Sequence, residues 1–347
     1  MERIAAVDGD GHITETERQL RPYMQGTITE GGYAAAARSV YYSVDGWERS
    51  LGGKLGTRAS TASEWLEMMD RGGLETAILY PTAGLGIGWV REPDWVVALC
   101  RAYNDFVAEE FLKVSPRLQA VALLPLQVPD EAVKELRRAV TEKRFCGAML
   151  PANGLRLPLG HPTYHEVYAE AERLDAFMAV HATVRGPQSF GADLFDKFIE
   201  VHTLSHPVAQ MIQLTGWVFE GVPEKFPRLR VGFMESGCSW VPYWVNRMDE
   251  EYEKRGPESP VLRKKPSEYV RGGNFFFHGE GDEVLLPEAM RWLGSGSVFY
   301  ASDYPHWDHS YPHNIEEFQE MESLTPDERR ALLRDNALRM YGLLTRV

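Results

Sequence analysis

Residues 118–150 read LQAVALLPLQVPDEAVKELRRAVTEKRFCGAML, and this stretch decides the fold class. It begins with an almost entirely apolar run, 118–124, which is typical of a strand buried on both faces. Residues 129–144 place apolar side chains at helical spacing and charges on the opposite face, which predicts an amphipathic helix. A second apolar run, 146–150, completes the unit. The order strand, helix, strand indicates parallel strands joined by a helix.

The same alternation extends over the whole chain of 347 residues. Each strand candidate is followed by helical sequence, including helices that begin at Thr61 and Thr325. This pattern predicts an α/β fold, a single (β/α)8 TIM barrel forming one domain over residues 1–347, with an open doubly wound sheet as the alternative. No GxGxxG motif follows the first strand, which weakens the dinucleotide-binding version of that alternative. The eight strand candidates are 4–8, 76–80, 118–124, 146–150, 176–181, 230–235, 274–278 and 297–302.

A long insertion after strand one, residues 20–60, interrupts this alternation. It contains Tyr41, Tyr42 and Trp47, and long loops at the carboxyl end of a barrel usually cover the active site. Together with Trp89, these rings suggest a small cyclic or aromatic substrate. Core packing is an equally good use for them.

Composition excludes several classes of function. The net charge is −13, from 37 basic and 50 acidic side chains, so a nucleic-acid partner is not expected. The three cysteines fit neither a disulfide framework nor a zinc motif. There is no signal-peptide pattern and no apolar run long enough to span a membrane. We expect a soluble cytoplasmic protein that acts on a small molecule, with a homodimer allowed.

Polar residues of metal-ligand type stand at five of the eight predicted strand ends. In a barrel, the chemistry collects at the carboxyl ends of the strands. Imidazole nitrogens and carboxylate oxygens are the donors that zinc, manganese or iron use. These residues are Asp8, Asp10 and His12 after strand one, His181 after strand five, Glu235 after strand six, His278 after strand seven and Asp303 after strand eight.

Each of these residues also has an ordinary structural explanation. The Asp-x-Asp-x-His pattern could belong to a turn, and Glu235 could cap the following helix. A lone histidine is more often hydrogen-bonded than a ligand, and His206, which precedes Pro207 in a predicted helix, is interpreted as structural. Arg185 could hold a substrate carboxylate or form a surface ion pair. The coincidence of ligand-type residues at five strand ends favours a joint site.

Two further segments resemble the amidohydrolase superfamily, in the branch typified by aminocarboxymuconate-semialdehyde decarboxylase. Residues 221–231, GVPEKFPRLRV, are followed by Glu235-Ser236-Gly237 and are similar to that branch around strand six. Residues 302–308, SDYPHWD, are similar to its strand-eight motif. The resemblance covers nearly the whole chain.

The resemblance implies a metal site. The family's Asp-x-His-x-His motif falls on residues 8–12, with Asp10 in place of the first metal-binding histidine and His12 retained. His181 matches the strand-five ligand, and Asp303 matches a residue that binds the metal or acts as a base. We therefore expect one divalent ion, zinc first and manganese or iron as alternatives. Its expected ligands are Asp10, His12, His181 and Asp303.

The resemblance indicates the type of reaction less directly than it indicates the metal site. Decarboxylases of this branch carry a proton-relaying histidine at strand six, where this chain has Glu235, and this difference favours hydrolysis through a metal-activated water. In that reaction Asp303 accepts the proton from water, and Glu235 or His306 protonates the leaving group. The alternative is non-oxidative decarboxylation of a hydroxylated aromatic acid. A barrel that binds a ligand without catalysis is an alternative of another class.

Overall fold

The computed structural model describes residues 3–24, 59–183 and 191–344. Its centre is one sheet of eight strands in the order β1 to β8, and every neighbouring pair in that order is parallel. The strands are β1 Ala6–Ile13, β2 Leu74–Pro81, β3 Leu118–Leu123, β4 Gly147–Pro151, β5 Phe177–His181, β6 Val231–Phe233, β7 Phe275–His278 and β8 Val298–Phe299.

Helices follow the strands, as the sequence predicts. The α-helices are α1 Glu17–Leu20, α2 Ala62–Gly72, α3 Pro93–Val107, α4 Pro129–Glu142, α5 His165–Leu174, α6 Phe198–Phe219, α7 Val222–Lys225, α8 Val241–Arg255, α9 Pro266–Val270, α10 Leu286–Leu293, α11 His313–Glu320, α12 Pro326–Arg330 and α13 Asn336–Met340. Two π-helical segments are Ala108–Leu112 and Ala331–Asp335. Short 3-10 segments are Arg21–Tyr23, Ala83–Trp89, Pro162–Tyr164, Ala192–Leu194, Gly256–Glu258 and Ser295–Ser297. No helix in the described part of the chain combines the length and apolarity needed to span a membrane.

Backbone hydrogen bonds between β1 and the segment that follows β8 close the sheet into a barrel. The amide of Gly9 donates to the carbonyl of Tyr300 at 3.0 Å, and that of Asp303 donates to Asp10 at 3.0 Å. The amide of His12 donates to Tyr304 at 2.7 Å. The predicted (β/α)8 barrel is thus confirmed. Most of the predicted insertion lies outside the described residues, including Tyr41, Tyr42 and Trp47.

Strand β1 is longer than the sequence predicts. The predicted strand stops at residue 8, whereas β1 continues to Ile13 and is buried throughout. Between Asp8 and Gly11, β1 advances three residues while β2 advances only two, from Ala77 to Leu79. Such a bulge locally re-aims side chains. Polar residues 8, 10 and 12 are therefore part of the strand rather than a turn after it.

Gly11 lets the barrel wall approach helix α2 closely. A β-carbon at Gly11 would lie 2.4 Å from the Trp65 ring, so the position requires glycine. The Trp65 indole nitrogen donates to the backbone carbonyl of His12 at 3.1 Å. Packing by α2 thus holds the end of β1, on which His12 is carried.

Candidate metal centre

Two buried histidines are oriented by backbone carbonyl groups. Nδ1 of His12 lies 2.9 Å from the carbonyl oxygen of Pro81, and Nδ1 of His181 lies 2.7 Å from that of Ala182. Because a carbonyl oxygen only accepts hydrogen bonds, Nδ1 carries the proton in both rings. In the neutral form of each ring, Nε2 then has a free lone pair. This is the arrangement of a metal-ligating histidine.

Carboxylate oxygens face both of these nitrogens. Nε2 of His12 is 3.4 Å from Asp10 Oδ1 and 3.4 Å from Asp303 Oδ1. Nε2 of His181 is 3.4 Å from Asp10 Oδ2 and 3.3 Å from Glu235 Oε2. Lone pairs therefore face lone pairs at distances longer than an ordinary hydrogen bond.

Most of these atoms lack hydrogen-bond partners. Metal–ligand distances of about 2.0–2.2 Å place neighbouring ligand atoms about 3.0–3.5 Å apart, which is the spacing observed here. The donor set therefore fits one divalent cation. Among the described residues, the buried atoms without a hydrogen-bond partner include Asp10 Oδ1, His12 Nε2, His181 Nε2 and Glu235 Oε2. Asp303 Oδ1 has Nδ1 of His306 at 2.7 Å.

Asp8 forms hydrogen bonds with the backbone and side chain of another segment, unlike Asp10, whose carboxylate faces the two histidines. One of its oxygens accepts from the Ser302 amide at 2.8 Å, and the other accepts from the Ser302 hydroxyl at 2.6 Å. Burial raises the pKa of Asp8 to about 6, although these hydrogen bonds act in the opposite direction. Asp8 ties β1 to the segment that carries Asp303, and hydrogen bonds engage both of its oxygens.

Glu235 and Asp303 occupy the left-handed region of backbone conformation, with φ of 47° and 53°. Residues other than glycine adopt this conformation at a cost, and such residues cluster at functional sites. Both follow short strands, β6 and β8. The unusual backbone turns each carboxyl group towards the histidines.

His306 extends the centre on the side of Asp303. Its Nδ1 lies 2.7 Å from Asp303 Oδ1, and its Nε2 lies 3.2 Å from the hydroxyl of Thr82. The His306 ring lies against the His12 ring, with centroids 4.0 Å apart. His306 is thus placed to exchange a proton with Asp303.

Burial and crowding shift the pKa values of the site residues in a consistent pattern. Burial lowers the pKa of His12 well below its ordinary value, with His306 and His181 adding to the effect. Burial also raises the pKa of Asp303 and Glu235, and neighbouring carboxylates raise both further. For His181, burial would lower the pKa, but Asp10 and Glu235 outweigh it and raise the pKa.

Among the described residues, no lysine or arginine pairs with Asp10, Glu235 or Asp303. A bound cation would relieve this excess of negative charge.

A cavity of about 530 Å³ opens beside the centre and gives a small molecule access to it. Glu235 and Asp303 line it, together with His278 from the end of β7. His278 is buried, and its Nδ1 has no hydrogen-bond partner among the described residues. Trp89 is not among the lining residues, and Arg185 lies outside the described part of the chain.

His206 is the site residue that sequence reasoning placed elsewhere. Its ring is buried, and Nε2 lies 3.4 Å from Glu235 Oε1. It comes from α6 rather than from a strand end, so the strand-end rule could not find it. Its signal is the spacing in His202-Thr-Leu-Ser-His206, which puts two imidazoles on one face of a helix.

Comparison with known proteins places this centre in a family. A family model described as Amidohydrolase matches residues 7–343. The chain belongs to the amidohydrolase family. A gamma-resorcylate decarboxylase from Rhodococcus jostii (strain RHA1) is 28% identical over 295 residues, which cover 80% of this chain and 86% of that relative. A 2-amino-3-carboxymuconate-6-semialdehyde decarboxylase from Dictyostelium discoideum is 24% identical over 287 residues, covering 80% of this chain and 76% of the relative.

A solved structure shares the fold. It is a dihydroxybenzoic acid decarboxylase from Polaromonas sp. JS666 with bound manganese and the inhibitor 2-nitroresorcinol, with a TM-score of 0.74 and 20% identity. The match covers 99% of this chain and 98% of that one. The predicted superfamily and the prediction of a metal-dependent enzyme, hydrolase or carboxy-lyase, are confirmed. The relatives are decarboxylases, so they favour the alternative prediction over hydrolysis.

Proposed function

We propose that this protein is a metal-dependent, non-oxidative decarboxylase of a hydroxylated aromatic acid. The observation that carries the proposal is the set of buried metal-donor atoms, most of them without a hydrogen-bond partner, that converge at the carboxyl ends of β1, β5, β6 and β8. The decarboxylase relatives supply the choice of reaction within the family. The 530 Å³ cavity has room for a single aromatic ring with small substituents.

We assign the cation to Asp10, His12, His181 and Asp303. Manganese and zinc both accept this mixture of nitrogen and oxygen donors, and manganese is bound by the related decarboxylase. When bound, the cation supplies a positive charge that can hold a carboxylate and an adjacent hydroxyl oxygen of the substrate and polarise them. The three carboxyl groups of the centre could not bind an anionic substrate without that charge.

Asp303 is the proton donor of this proposal. Its Oδ1 lies 2.7 Å from Nδ1 of His306, so the carboxyl group can receive a proton from this imidazole before it reacts. Asp303 transfers this proton to the ring carbon that bears the carboxylate. The bond between that carbon and the carboxylate then breaks, carbon dioxide leaves, and the electron pair restores the aromatic ring. His306, 2.7 Å away, returns a proton to Asp303 for the next turnover.

The earlier hydrolytic prediction rested on Glu235 in place of a strand-six histidine. In the structure, Nε2 of His206, which belongs to α6, lies 3.4 Å from Oε1 of Glu235. An imidazole therefore is present on this side of the centre, and the substitution at strand six no longer favours hydrolysis. Arg185 as a contact for the substrate carboxylate and Trp89 as a contact for its ring remain proposals.

The test is a product assay on protein loaded with manganese or zinc. A panel would contain 2-hydroxybenzoate and 2,6-dihydroxybenzoate, the matched acid 3-hydroxybenzoate without an ortho hydroxyl, a lactone and a cyclic amide. We expect carbon dioxide and a phenol from the ortho-hydroxylated acids, and inhibition by 2-nitroresorcinol. Asp303→Asn should lower kcat by about 10²–10⁴-fold, as expected for loss of a general acid, with an unchanged circular dichroism spectrum.

His313→Ala is the matched control, because this histidine is exposed and lies outside the donor groups. It should leave kcat and KM unchanged. Ring-opened acid from the lactone or amide, with no carbon dioxide from any acid, would restore hydrolysis as the reaction. Full activity of Asp303→Asn would remove Asp303 from the proton-transfer step.

A further inference from the structure

The two oxygens of Glu235 face two different histidines. Oε2 lies 3.3 Å from His181 Nε2, inside the centre described above. Oε1 lies 3.4 Å from His206 Nε2, on the opposite side of the carboxyl group. A carboxylate placed in this way can bridge two cations, since each oxygen is directed to a separate nitrogen donor.

His206 can adopt the same tautomer as the histidines of the first centre. Its Nδ1 lies 3.2 Å from the hydroxyl of Ser205, and that hydroxyl donates its own proton to the carbonyl of His202 at 3.2 Å. In this arrangement the Ser205 oxygen can accept from His206, and Nδ1 then carries the proton. Nε2 is left with a lone pair that faces the lone pairs of Glu235 Oε1. Only a cation or a further proton between the two atoms makes this contact favourable.

His202 supplies a third donor. It precedes His206 by four residues on α6, and this spacing places two imidazoles on the same helix face. The two rings have centroids 5.3 Å apart. Ligand atoms of His202, His206 and Glu235 all lie within 4.8 Å of one another. His202 Nε2 is also 3.8 Å from Asp308 Oδ2, so a second oxygen donor stands at the rim.

The surrounding charge favours a cation here as well. The cavity beside these residues is lined by six carboxyl side chains and, among the described residues, by no lysine or arginine. The six are Glu235, Glu280, Asp282, Asp303, Asp308 and Glu317. An anionic substrate would be repelled by this lining. One cation in the first centre compensates only part of it.

We propose that His202, His206 and Glu235 form a second divalent-cation site, with Asp308 at its rim, and that Glu235 bridges the two cations. The mixed nitrogen and oxygen donors suit zinc, manganese or cobalt. Two-metal sites have ions about 3.5–4 Å apart, which a bridging carboxylate can span. The second cation would face the cavity and offset its negative charge, a role that rests on the proposed decarboxylation of an anionic acid.

Metal content tests this site without any assay of activity. Protein purified without chelator, and protein titrated with manganese after removal of its metal, would be analysed for bound ions per chain. We expect two equivalents for the wild type and one for His206→Gln and for His202→Ala. Manganese-loaded wild type should give the spin-coupled electron paramagnetic resonance spectrum of a bridged pair, and both variants should give the spectrum of an isolated ion.

Two controls keep the result interpretable. His313→Ala should retain two equivalents, and thermal unfolding should show that each variant is folded. His202 is only half-buried, so its replacement is the safer variant if His206→Gln fails to fold. One bound ion per chain in metal-saturated wild type would overturn the proposal of a second site. Two bound ions per chain in both His206→Gln and His202→Ala would overturn it as well. If that single-ion wild type still releases carbon dioxide, the proposed reaction stands and only the second site fails.

Discussion

At the scale of single residues, the tautomers of His12 and His181 decide what the centre can bind. In each ring, Nδ1 donates a hydrogen bond to a backbone carbonyl group, so Nε2 of the neutral ring is an acceptor. Carboxylate oxygens of Asp10 and Glu235 are acceptors too. An arrangement in which acceptors face only acceptors is stable when a cation fills the space between them.

His181→Ala tests this centre directly. The substitution removes one nitrogen donor from the end of β5, so the remaining groups hold the cation with one ligand fewer. We expect the bound metal to fall by about one ion per chain, and the decarboxylase activity to disappear with it. Elemental analysis of the purified variant, beside His313→Ala as a control, measures the first effect. Unchanged metal content in His181→Ala would exclude His181 as a ligand.

The sequence was sufficient to predict that residues of metal-ligand type lie together at strand ends, and their role as ligands is a proposal. Asp10 and His12 share β1, whereas His181 ends β5 and Asp303 follows β8, and barrel closure brings each of these side chains within 3.4 Å of another member of the set. It was not sufficient for His206, because a histidine on a helix becomes a site residue only through the way that helix packs across the barrel mouth. The spacing of His202 and His206 puts two imidazoles on one helix face, but it does not show which part of the barrel that face packs against.

At the scale of elements, strand β1 shows why boundaries are harder to predict than strands. The apolar pattern stops at residue 8, because the barrel interior near the mouth accepts carboxylates and imidazoles. The same polar residues that indicated function therefore concealed the second half of the strand. The bulge between Asp8 and Gly11 depends on pairing with β2, which no local pattern encodes.

Helices α4 and α5 are joined by a buried carboxylate, and this contact makes stability depend on pH. Glu170 on α5 accepts from Arg173 on the same helix at 2.7 Å and from Arg137 on α4 at 2.7 Å. Arg173 first, and then Arg137, lower the pKa of Glu170 to about 2 from its ordinary 4.5. The contact therefore stabilises the fold fully above about pH 4.5. Its contribution is lost as the pH falls from 4.5 towards 2.

Glu170→Gln should consequently be destabilising at neutral pH and nearly neutral in acid. The pKa shift corresponds to at most about 3 kcal/mol, and exposure of both guanidinium groups reduces this to about 1–2 kcal/mol at pH 7. Urea unfolding of wild type and variant between pH 3 and pH 7 measures the difference. Glu166→Gln, an exposed position on the same helix, should change the free energy of unfolding by less than about 0.5 kcal/mol. A difference for Glu170→Gln that does not shrink in acid would contradict the ionic explanation.

At the scale of the whole molecule, the alternation of apolar runs and amphipathic helices predicted all eight strands in their order. Closure could not be predicted in the same way. It depends on the backbone after the short strand β8, where Tyr300 and Tyr304 accept hydrogen bonds from β1 although they lie outside the strand itself. This closure is what sets Asp303 beside Asp10, so the geometry of the centre is a property of the complete barrel.

The same closure couples metal binding to stability. Donors from both ends of the chain, Asp10 near its start and Asp303 near its end, meet only in the folded barrel, so the unfolded chain has no equivalent site. Free metal at 100 times its dissociation constant should therefore raise the free energy of unfolding by about 2.7 kcal/mol for each independent site. Chelator-treated protein should unfold at a lower temperature than protein with manganese, and His181→Ala should respond less to the ion than His313→Ala. Equal unfolding temperatures with and without the ion, at concentrations that saturate binding, would show that the cation does not join the two ends of the barrel.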